Sequence, residues 1–542
     1  MGASGWQVIR QMLTESLIIA LAGATLGVGF AYGFLQWVKA SLLNGVPFWM
    51  QFRLDGQVLA FTVAIAVGTA FLFGLAPAVE AARPNLIETL RDAGARGSSV
   101  GKGRQRLRSG LVVAEVALSV ILLVGATLLV RSFLELQSVK PGFDPTRLLT
   151  LRVTMTGPQY DSTYKRAAFL DRFLTEVNAH PGIVSAGITN NIPLGGGNNN
   201  SFFVPEGQPT QLGSEPLLEI RWVSPRYLET LRIPIHRGRM FTEQEWADSG
   251  VTGRVAVINE YMAKQFWKTA DEALGKRFKF GNATDTLNRW ITVVGVAADI
   301  KHKQLTSPPD FQGYMPYAQG GWSSAAIIVR TVGDPTRAAG TVLAALKQAD
   351  PYLPAYRVLS MDETIQRSYW QQALYSKMFT AFAAIALVLA AVGVYGVIAY
   401  SVAQRTREIG VRVALGAQRS NVLRLVLAHG AGLAGAGIGI GLAGALGVTR
   451  FLRAMLYGVS PFDPMSFVAV TFVLSAIALL ASYVPARRAA RVDPIEASPG
   501  LTAALPRYAA AITDCTAGDA LVVSPPGCAP ASSSNRATPA WS

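Results

Sequence analysis

LGAQRSNVLRLVLAHGAGLAGAGIGIGLAGALG, residues 415–447, repeats in weakened form MGASGWQVIRQMLTESLIIALAGATLGVGFAYG, residues 1–33. Val8, Arg10 and Leu13 fall on Val422, Arg424 and Leu427. Gly23, Gly27 and Gly33 fall on Gly437, Gly441 and Gly447 at the same offset. A second block matches at a slightly smaller offset, so one loop differs in length. Asp55, Pro77, Ala78, Ala81, Ala82, Arg83, Ile87 and Glu88 fall on Asp463, Pro485, Ala486, Ala489, Ala490, Arg491, Ile495 and Glu496. Colinear matches that include Gly and Pro mark a duplication. Both copies lead into apolar runs, so the duplicated unit is a membrane unit. Transport proteins build pathways from repeats that can rock against each other.

Outward from the repeat, six stretches are apolar over the ~20 residues a bilayer needs: 12–34, 57–79, 110–132, 376–400, 425–447 and 465–484. A polar block of 133–375 separates the third from the fourth. The composition agrees with a membrane protein. Mean hydropathy is +0.30 and charged residues are 15% of 542, against about 25% in soluble domains. The net charge of +15 would suit nucleic acid, but the cations flank apolar runs and form no aromatic-interleaved patch. Nucleic acid is therefore set aside. Cys515 and Cys528 both lie in the C-terminal tail, so no disulfide frame or thiolate metal site is expected upstream.

Orientation follows from Lys/Arg placement beside the spans. Arg83, Arg91, Arg96, Lys102, Arg104, Arg106 and Arg108 lie between the second and third spans. Arg405, Arg407, Arg412, Arg419 and Arg424 lie between the fourth and fifth, and Arg487, Arg488 and Arg491 follow the sixth. All these fall on one side if the N-terminus is cytoplasmic, which puts 133–375 in the periplasm. Within that block, Arg147–Met155, Ile183–Thr189, Leu218–Val223, Val255–Asn259, Ile291–Ala297 and Ala325–Arg330 read as strands. Tyr164–Ala179, Met262–Phe266 and Thr336–Ala349 read as helices. The fold class is an α-helical integral membrane protein of about six transmembrane helices with a large inserted α+β periplasmic domain, built as one or two subdomains.

Catalytic constellations are wanting. No G-x-x-x-x-G-K-[ST] occurs; at Gly275-Lys276 an arginine, Arg277, stands where a hydroxyl is needed. The glycine-rich Pro193–Gly197 reads as a mobile exposed loop. His180, His236, His302 and His429 form no ligand pair and read as surface or helix-end residues. No metal, cofactor or enzymatic role is assigned, and no dyad of Asp299 with Glu260 is inferred. Glu15 and Glu115 sit inside apolar runs near their cytoplasmic ends. They read as solvated at headgroup depth, or else as polar contacts inside the bundle with Arg10 or Arg108. Gly23 with Gly27, and Gly437 with Gly441, have the four-residue spacing that lets helices pack closely.

RTREIGVRVALGA, Arg405–Ala417, has Ile409, Val413 and Leu415 apolar against Arg405, Arg407, Glu408 and Arg412. At helical spacing this is a short amphipathic helix at the cytoplasmic membrane face. It is either an interfacial anchor or a docking helix for a cytoplasmic partner.

TREIGVRVALGA, followed by two spans and PARRAARVDPIEA, resembles the signature of MacB/FtsX-type permeases of ABC systems. AHPGIVSAGITNNIPLGG, VSPRYLETLRIPIHRGRMF, VAVINEYMAKQFW and WITVVGVAADIKH resemble the MacB-type periplasmic core domain. The resemblance implies six segments. Residues 1–91 are the end of a first FtsX-like unit, 92–109 a basic linker and 110–132 a transmembrane helix. Residues 133–375 are the periplasmic core domain, 376–497 a second FtsX-like unit and 498–542 a disordered tail. It places ATPase docking on Arg407, Glu408, Gly410, Arg412, Ala414 and Gly416. Gly2 and Ala3 are the remnant of that motif in the first copy, whose charged half and earlier spans are missing, as if truncated. The partners implied are a separate cytoplasmic ABC ATPase and membrane lipid, with a periplasmic adaptor and a homodimer as further options. The function implied is mechanotransmission for export or efflux from the inner membrane. The alternative is a non-transporting scaffold that activates a periplasmic partner.

Overall fold

The computed structural model describes residues 5–41, 53–81, 99–248, 253–414 and 418–490. Three long helices precede the α/β domain or lead into it: α1 Gly5–Ser41, α2 Gly56–Ala81 and α3 Ser99–Ser138. Its elements run β1 Leu148–Thr154, α4 Thr163–Asn178, β2 Ile183–Thr189, β3 Asn200–Pro205, β4 Leu217–Val223 and α5 Tyr227–Leu231. Next come β5 Ile235–Gly238, α6 Glu243–Ala247, β6 Arg254–Asn259, α7 Glu260–Trp267, α8 Ala270–Ala273, β7 Arg277–Phe280 and β8 Ile291–Ala297. The domain ends with β9 Gln312–Pro316, β10 Ser324–Thr331, α9 Pro335–Ala349, β11 Ala355–Ser360 and α10 Met361–Ser368. Four helices follow: α11 Trp370–Gln404, α12 Thr406–Ala414, α13 Arg419–Leu452 and α14 Pro464–Ala489.

Five of these helices, α1, α3, α11, α13 and α14, are long and apolar enough to cross a membrane. The expected span 57–79 falls on α2, whose apolar stretch among the described residues is Gly56–Phe71, shorter than a span. Aspartates start the second helix of each repeat. Asp55 accepts the Val58 N–H at 2.9 Å and Asp463 the Ser466 N–H at 2.9 Å, the bond that satisfies an orphan donor of a first turn.

The α/β domain is a βαββαβ unit with a second body inserted in its middle. Strands β11-β1-β10-β2 form an open antiparallel sheet. The helices α4 and α9 follow β1 and β10, as in a split βαβ arrangement. Between β2 and β10, strands β4-β3-β7-β8-β6-β9 close into a ring, because β9 pairs with β4 in parallel. β5 adds to the outside of β8. A single pair, Thr189 with Val223, links sheet to ring. Closure hides the edges that an open sheet would expose. One apolar core runs through both bodies, from Leu149, Leu151 and Phe173 to Phe203, Ile258 and Val296.

All six runs expected as strands are strands. Five more, β3, β5, β7, β9 and β11, were not read from the sequence. They are short, and several carry Pro, Gly or alternating charge. Neighbouring strands supply their hydrogen bonds, and intrinsic propensity does not. Contacts divide the described residues into two compact units. The first takes in α1, α2, the α/β domain and the domain-side ends of α3, α11 and α13. The second takes in the distal parts of α3, α11 and α13, with α12 and most of α14.

Candidate functional site

α12 is built from TREIGVRVA, and its apolar side decides where it sits. After Gln404 the helical path breaks at Arg405 and restarts. The Thr406 hydroxyl donates to Val402 O at 3.1 Å and to Ala403 O at 3.0 Å. Ile409 is 4% exposed and packs with Val422 of α13, Ala489 of α14 and, less buried, Val402 of α11. Burying one such side chain contributes ~2 kcal/mol, so one residue fastens α12 to three helices. Gly410 is buried as well.

Next to Ile409 on the helix surface, Glu408 and Arg412 are exposed. Glu408 and Arg412 form an i,i+4 ion pair at 2.5 Å with about half of each side chain exposed. Such a pair adds only ~0.3–0.5 kcal/mol to the helix. It does fix two opposite charges on a polar surface. Beside it, a small open cleft of about 30 Å3 is lined by Ser401, Arg405, Glu408, Leu425 and His429 among others. Of the expected docking residues, Glu408 and Arg412 therefore share the exposed face and Gly410 the buried one. Arg407 and Ala414 lie on α12, with their side chains outside the described residues, and Gly416 lies outside them altogether.

In the same unit, Glu115 of α3 lies against α11, where any side chain at Gly393 would strike its carboxylate. Arg108 lies over the Tyr400 ring at 4.1 Å. Glu15, on α1, is exposed and accepts a hydrogen bond from Gln11 at 3.2 Å. Gly437 meets Val116 of α3, where a Cβ would stand 2.7 Å from the Val116 Cβ. Gly441 is buried. Gly23 and Gly27 have nothing within 4 Å.

In the first unit, a joint ties the domain to the helix ends. Leu136 of α3, Leu194 and Leu305 are buried together, with Val139, Ile365, Tyr369 and Tyr457 around them. The Tyr457 N–H donates to the Ser132 hydroxyl at 2.7 Å, and Arg131 pairs with Asp463.

Leu194 belongs to the glycine-rich loop, and its base corrects the expectation of a mobile exposed loop. Ile192, Pro193 and Leu194 are buried, and exposure is confined to Gly196–Asn198. The Leu194 N–H donates to His302 O at 2.8 Å. Arg221 donates to Asn198 Oδ1 at 3.2 Å and to Asn199 O at 3.3 Å, and Arg152 donates to Gly196 O at 3.2 Å. Leu194 itself is held at φ 59°, a left-handed conformation uncommon without glycine. No sequence signal marks it, because the contacts that impose the conformation come from β4 and the segment after β8.

His302 is also a correction, being 6% exposed and inside the domain. Burial, then the Arg221 and Lys303 cations, hold its imidazole well below its ordinary pKa. Arg221 and Glu219, a buried pair at 3.3 Å, anchor this network with Lys303 at 2.7 Å from Glu219. Glu260 pairs with Lys264, and Asp299 accepts from Asn259 and Tyr261. Both carboxylates are thus occupied structurally. No cluster of three metal-ligating side chains occurs among the described residues.

Comparison with known proteins matches two family models to the chain. The FtsX-like permease C-terminal family matches residues 1–86 and 380–494, and the MacB-like periplasmic core domain family matches residues 109–349. The chain is 29% identical over 52% of its length to the probable syringafactin export ATP-binding/permease protein SyfD of Pseudomonas syringae pv. tomato, covering 42% of it. It is 26% identical over 54% of its length to the macrolide export ATP-binding/permease protein MacB of Hahella chejuensis, covering 46% of it. The chain thus spans less than half the length of these relatives. Among solved structures, the periplasmic region of MacB from Actinobacillus actinomycetemcomitans is similar at 17% identity and a TM-score of 0.28, covering 43% of this chain and 96% of that one. With FtsX-like matches at both ends of the chain and a MacB-like core between them, the chain belongs to the MacB/FtsX-type ABC transporter permeases of the inner membrane.

Proposed function

We propose that the chain is the permease subunit of an export system that couples ATP hydrolysis by a separate ATPase to movement of its periplasmic domain. The carrying observation is the two-sidedness of α12. Its exposed edge offers Glu408 and Arg412, while the adjoining Ile409 is clamped by α11, α13 and α14. A load applied to the exposed side enters three membrane helices at once. No phosphate-binding loop occurs in residues 1–542, which supports assigning hydrolysis outside this stretch of sequence. The N-terminus is cytoplasmic and residues 133–375 are periplasmic, a reading supported by the Lys/Arg-rich loops. The names of the relatives, which speak of syringafactin and macrolide export, support export as the direction.

The test is co-purification. Affinity-tagged protein is isolated in mild detergent from its own membranes, and ATP-binding subunits are identified by mass spectrometry. Wild-type protein should bring down one such subunit. The exposed pair reversed, Glu408→Arg with Arg412→Glu, should lower the yield at least fivefold while leaving the amount of inserted permease unchanged. An unchanged yield would remove α12 from the docking site.

A further inference from the structure

Residues 299–305, which follow β8, cross from the exit of α3 to the glycine-rich loop and are fastened at three places. The Lys301 N–H donates to Pro141 O at 2.8 Å, just past the end of α3. Beside that bond Gly142, at φ 89°, lies so close that a Cβ would stand 2.4 Å from Asp299 O. Only a residue without a Cβ fits there. Next, the His302 carbonyl accepts the Leu194 N–H at 2.8 Å. Last, Leu305 is buried against Leu136 of α3 and Leu194. These contacts tie the α/β domain to α3 through a segment that belongs to no sheet.

His302 is the residue this segment turns inward. It is 6% exposed, and neither ring nitrogen has a hydrogen-bond partner among the described residues. A neutral imidazole carries one N–H donor, and a buried polar group left unpaired calls for an explanation. The charges that face the ring are both positive, Arg221 of β4 and Lys303 of its own segment. The nearby carboxylates are already engaged with those cations. Glu219 of β4 holds Arg221 at 3.3 Å and Lys303 at 2.7 Å, and Asp310 lies 3.4 Å from Lys303. Tyr227 of α5 and Tyr314 of β9 face Arg221, and burial keeps both phenols un-ionised. A proton on His302 would therefore put a third cation in a closed space with no free carboxylate to meet it.

We propose that residues 299–305 are a pH-released strap, whose hold on α3 and on Leu194 is given up when His302 takes a proton. The sign follows from burial. The closed strap keeps the imidazole neutral, with its pKa depressed, whereas an opened strap exposes it to water. Closure is then complete above the ordinary histidine value of about 6.5 and weakens as pH falls below it. For one such group the opening equilibrium should rise about 25-fold between pH 7 and pH 5. The inference is independent of ATPase docking, since none of these residues lies on α12.

The experiment is hydrogen exchange with mass spectrometry on the full chain in lipid nanodiscs at pH 7 and pH 5, each rate divided by the intrinsic rate at that pH. Two amides report the strap directly, Lys301 and Leu194. Protection across residues 299–305 and at Leu194 should fall at least tenfold from pH 7 to pH 5, while α9 keeps its protection. His302→Gln, which cannot titrate, should bring the ratio below threefold. If circular dichroism or gel filtration shows that this variant does not fold, Lys303→Gln serves instead. Removing one of the two cations that face the ring lets it protonate in place, so the ratio should at least halve. Leu305→Ala should lower protection at both pH values and leave their ratio unchanged. A wild-type ratio below threefold would overturn the inference, as would an equal loss of protection in α9, which would mean general acid unfolding. An undiminished ratio in a folded His302→Gln would place the pH response on another group and overturn it too.

Discussion

The α1–α2 and α13–α14 hairpins share a crossing, a helix-starting aspartate and a glycine-bearing face, yet they live in different surroundings. At the crossing of α13 and α14 a Cβ at Gly430 would stand 3.0 Å from the Ser482 Cβ, and at that of α1 and α2 a Cβ at Gly74 would stand 3.1 Å from the Ser16 Cβ. By the repeat offsets, Ser16 is the counterpart of Gly430 and Gly74 of Ser482, so glycine and serine are exchanged between the helices. In the second copy the aspartate and the glycine face each do two things. Asp463 both starts α14 and holds Arg131, and the glycine face both permits close packing and receives α3. In the first copy they do less. Asp55 starts α2, and Gly23 and Gly27 face open space. A hairpin therefore holds its internal geometry through its own Gly–Ser contact, whereas its neighbours decide whether the outer face does anything. α12 lies just before the second hairpin and is clamped through Ile409.

The largest expected effect tests the clamp on α12. Ile409→Ala removes the residue that fixes α12 and should cost ~2–4 kcal/mol of local stability. Hydrogen exchange should quicken across residues 406–414 and stay unchanged across α1. Equal exchange before and after would mean that α12 is not fastened through Ile409.

The next effect should appear in both copies alike. Gly430→Ser crowds Ser482 and should cost ~1–3 kcal/mol, seen as earlier thermal unfolding in detergent. Adding Ser482→Gly should recover most of the loss, because it reproduces the first copy's arrangement. Gly74→Ser with Ser16→Gly should behave the same way. Failure of rescue in either hairpin would break the structural equivalence.

A smaller effect should separate the copies. Asn also starts helices well, so Asp463→Asn removes the ion pair and keeps the cap, at a cost of ~0.5–1 kcal/mol. Asp55→Asn should change stability by less than ~0.5 kcal/mol. Asp463 titrates below the ordinary carboxylate range, held there first by the Ser466 hydroxyl, then by the Ser466 N–H and Arg131. Because its folded-state pKa is depressed, its contribution is complete above the unfolded value of about 4 and is lost as pH falls through the lowered one. The cost of Asp463→Asn should therefore vanish in strong acid. The smallest effect is that of Glu408→Ala, ~0.3–0.5 kcal/mol on unfolding, from a half-exposed pair whose weight lies in docking.

Much of this was legible in the residues. Long apolar runs gave the helices, β-branched runs gave six strands, and TREIGVRVA showed its two faces by spacing alone. The closing strands of the ring escaped. QGYMP and IHRG have no strand character until β4, β6 and β8 present their hydrogen-bonding edges. The Gly–Ser exchange was invisible for another reason. Each of its two positions reads as a mismatch between the copies, and only the crossing helices reveal that the mismatches compensate. Leu194 looked like loop because its place in the joint is imposed from outside, by His302 and the ends of α3 and α10.

The most direct measurement is site-specific photocrosslinking in native membranes, with a photoreactive residue replacing Arg412 on α12 and, in parallel, Gln11 on α1. If α12 is the docking helix, the Arg412 position captures an ATP-binding subunit and the Gln11 position does not. Capture from neither position by fully inserted protein, or equal capture from both, would contradict it.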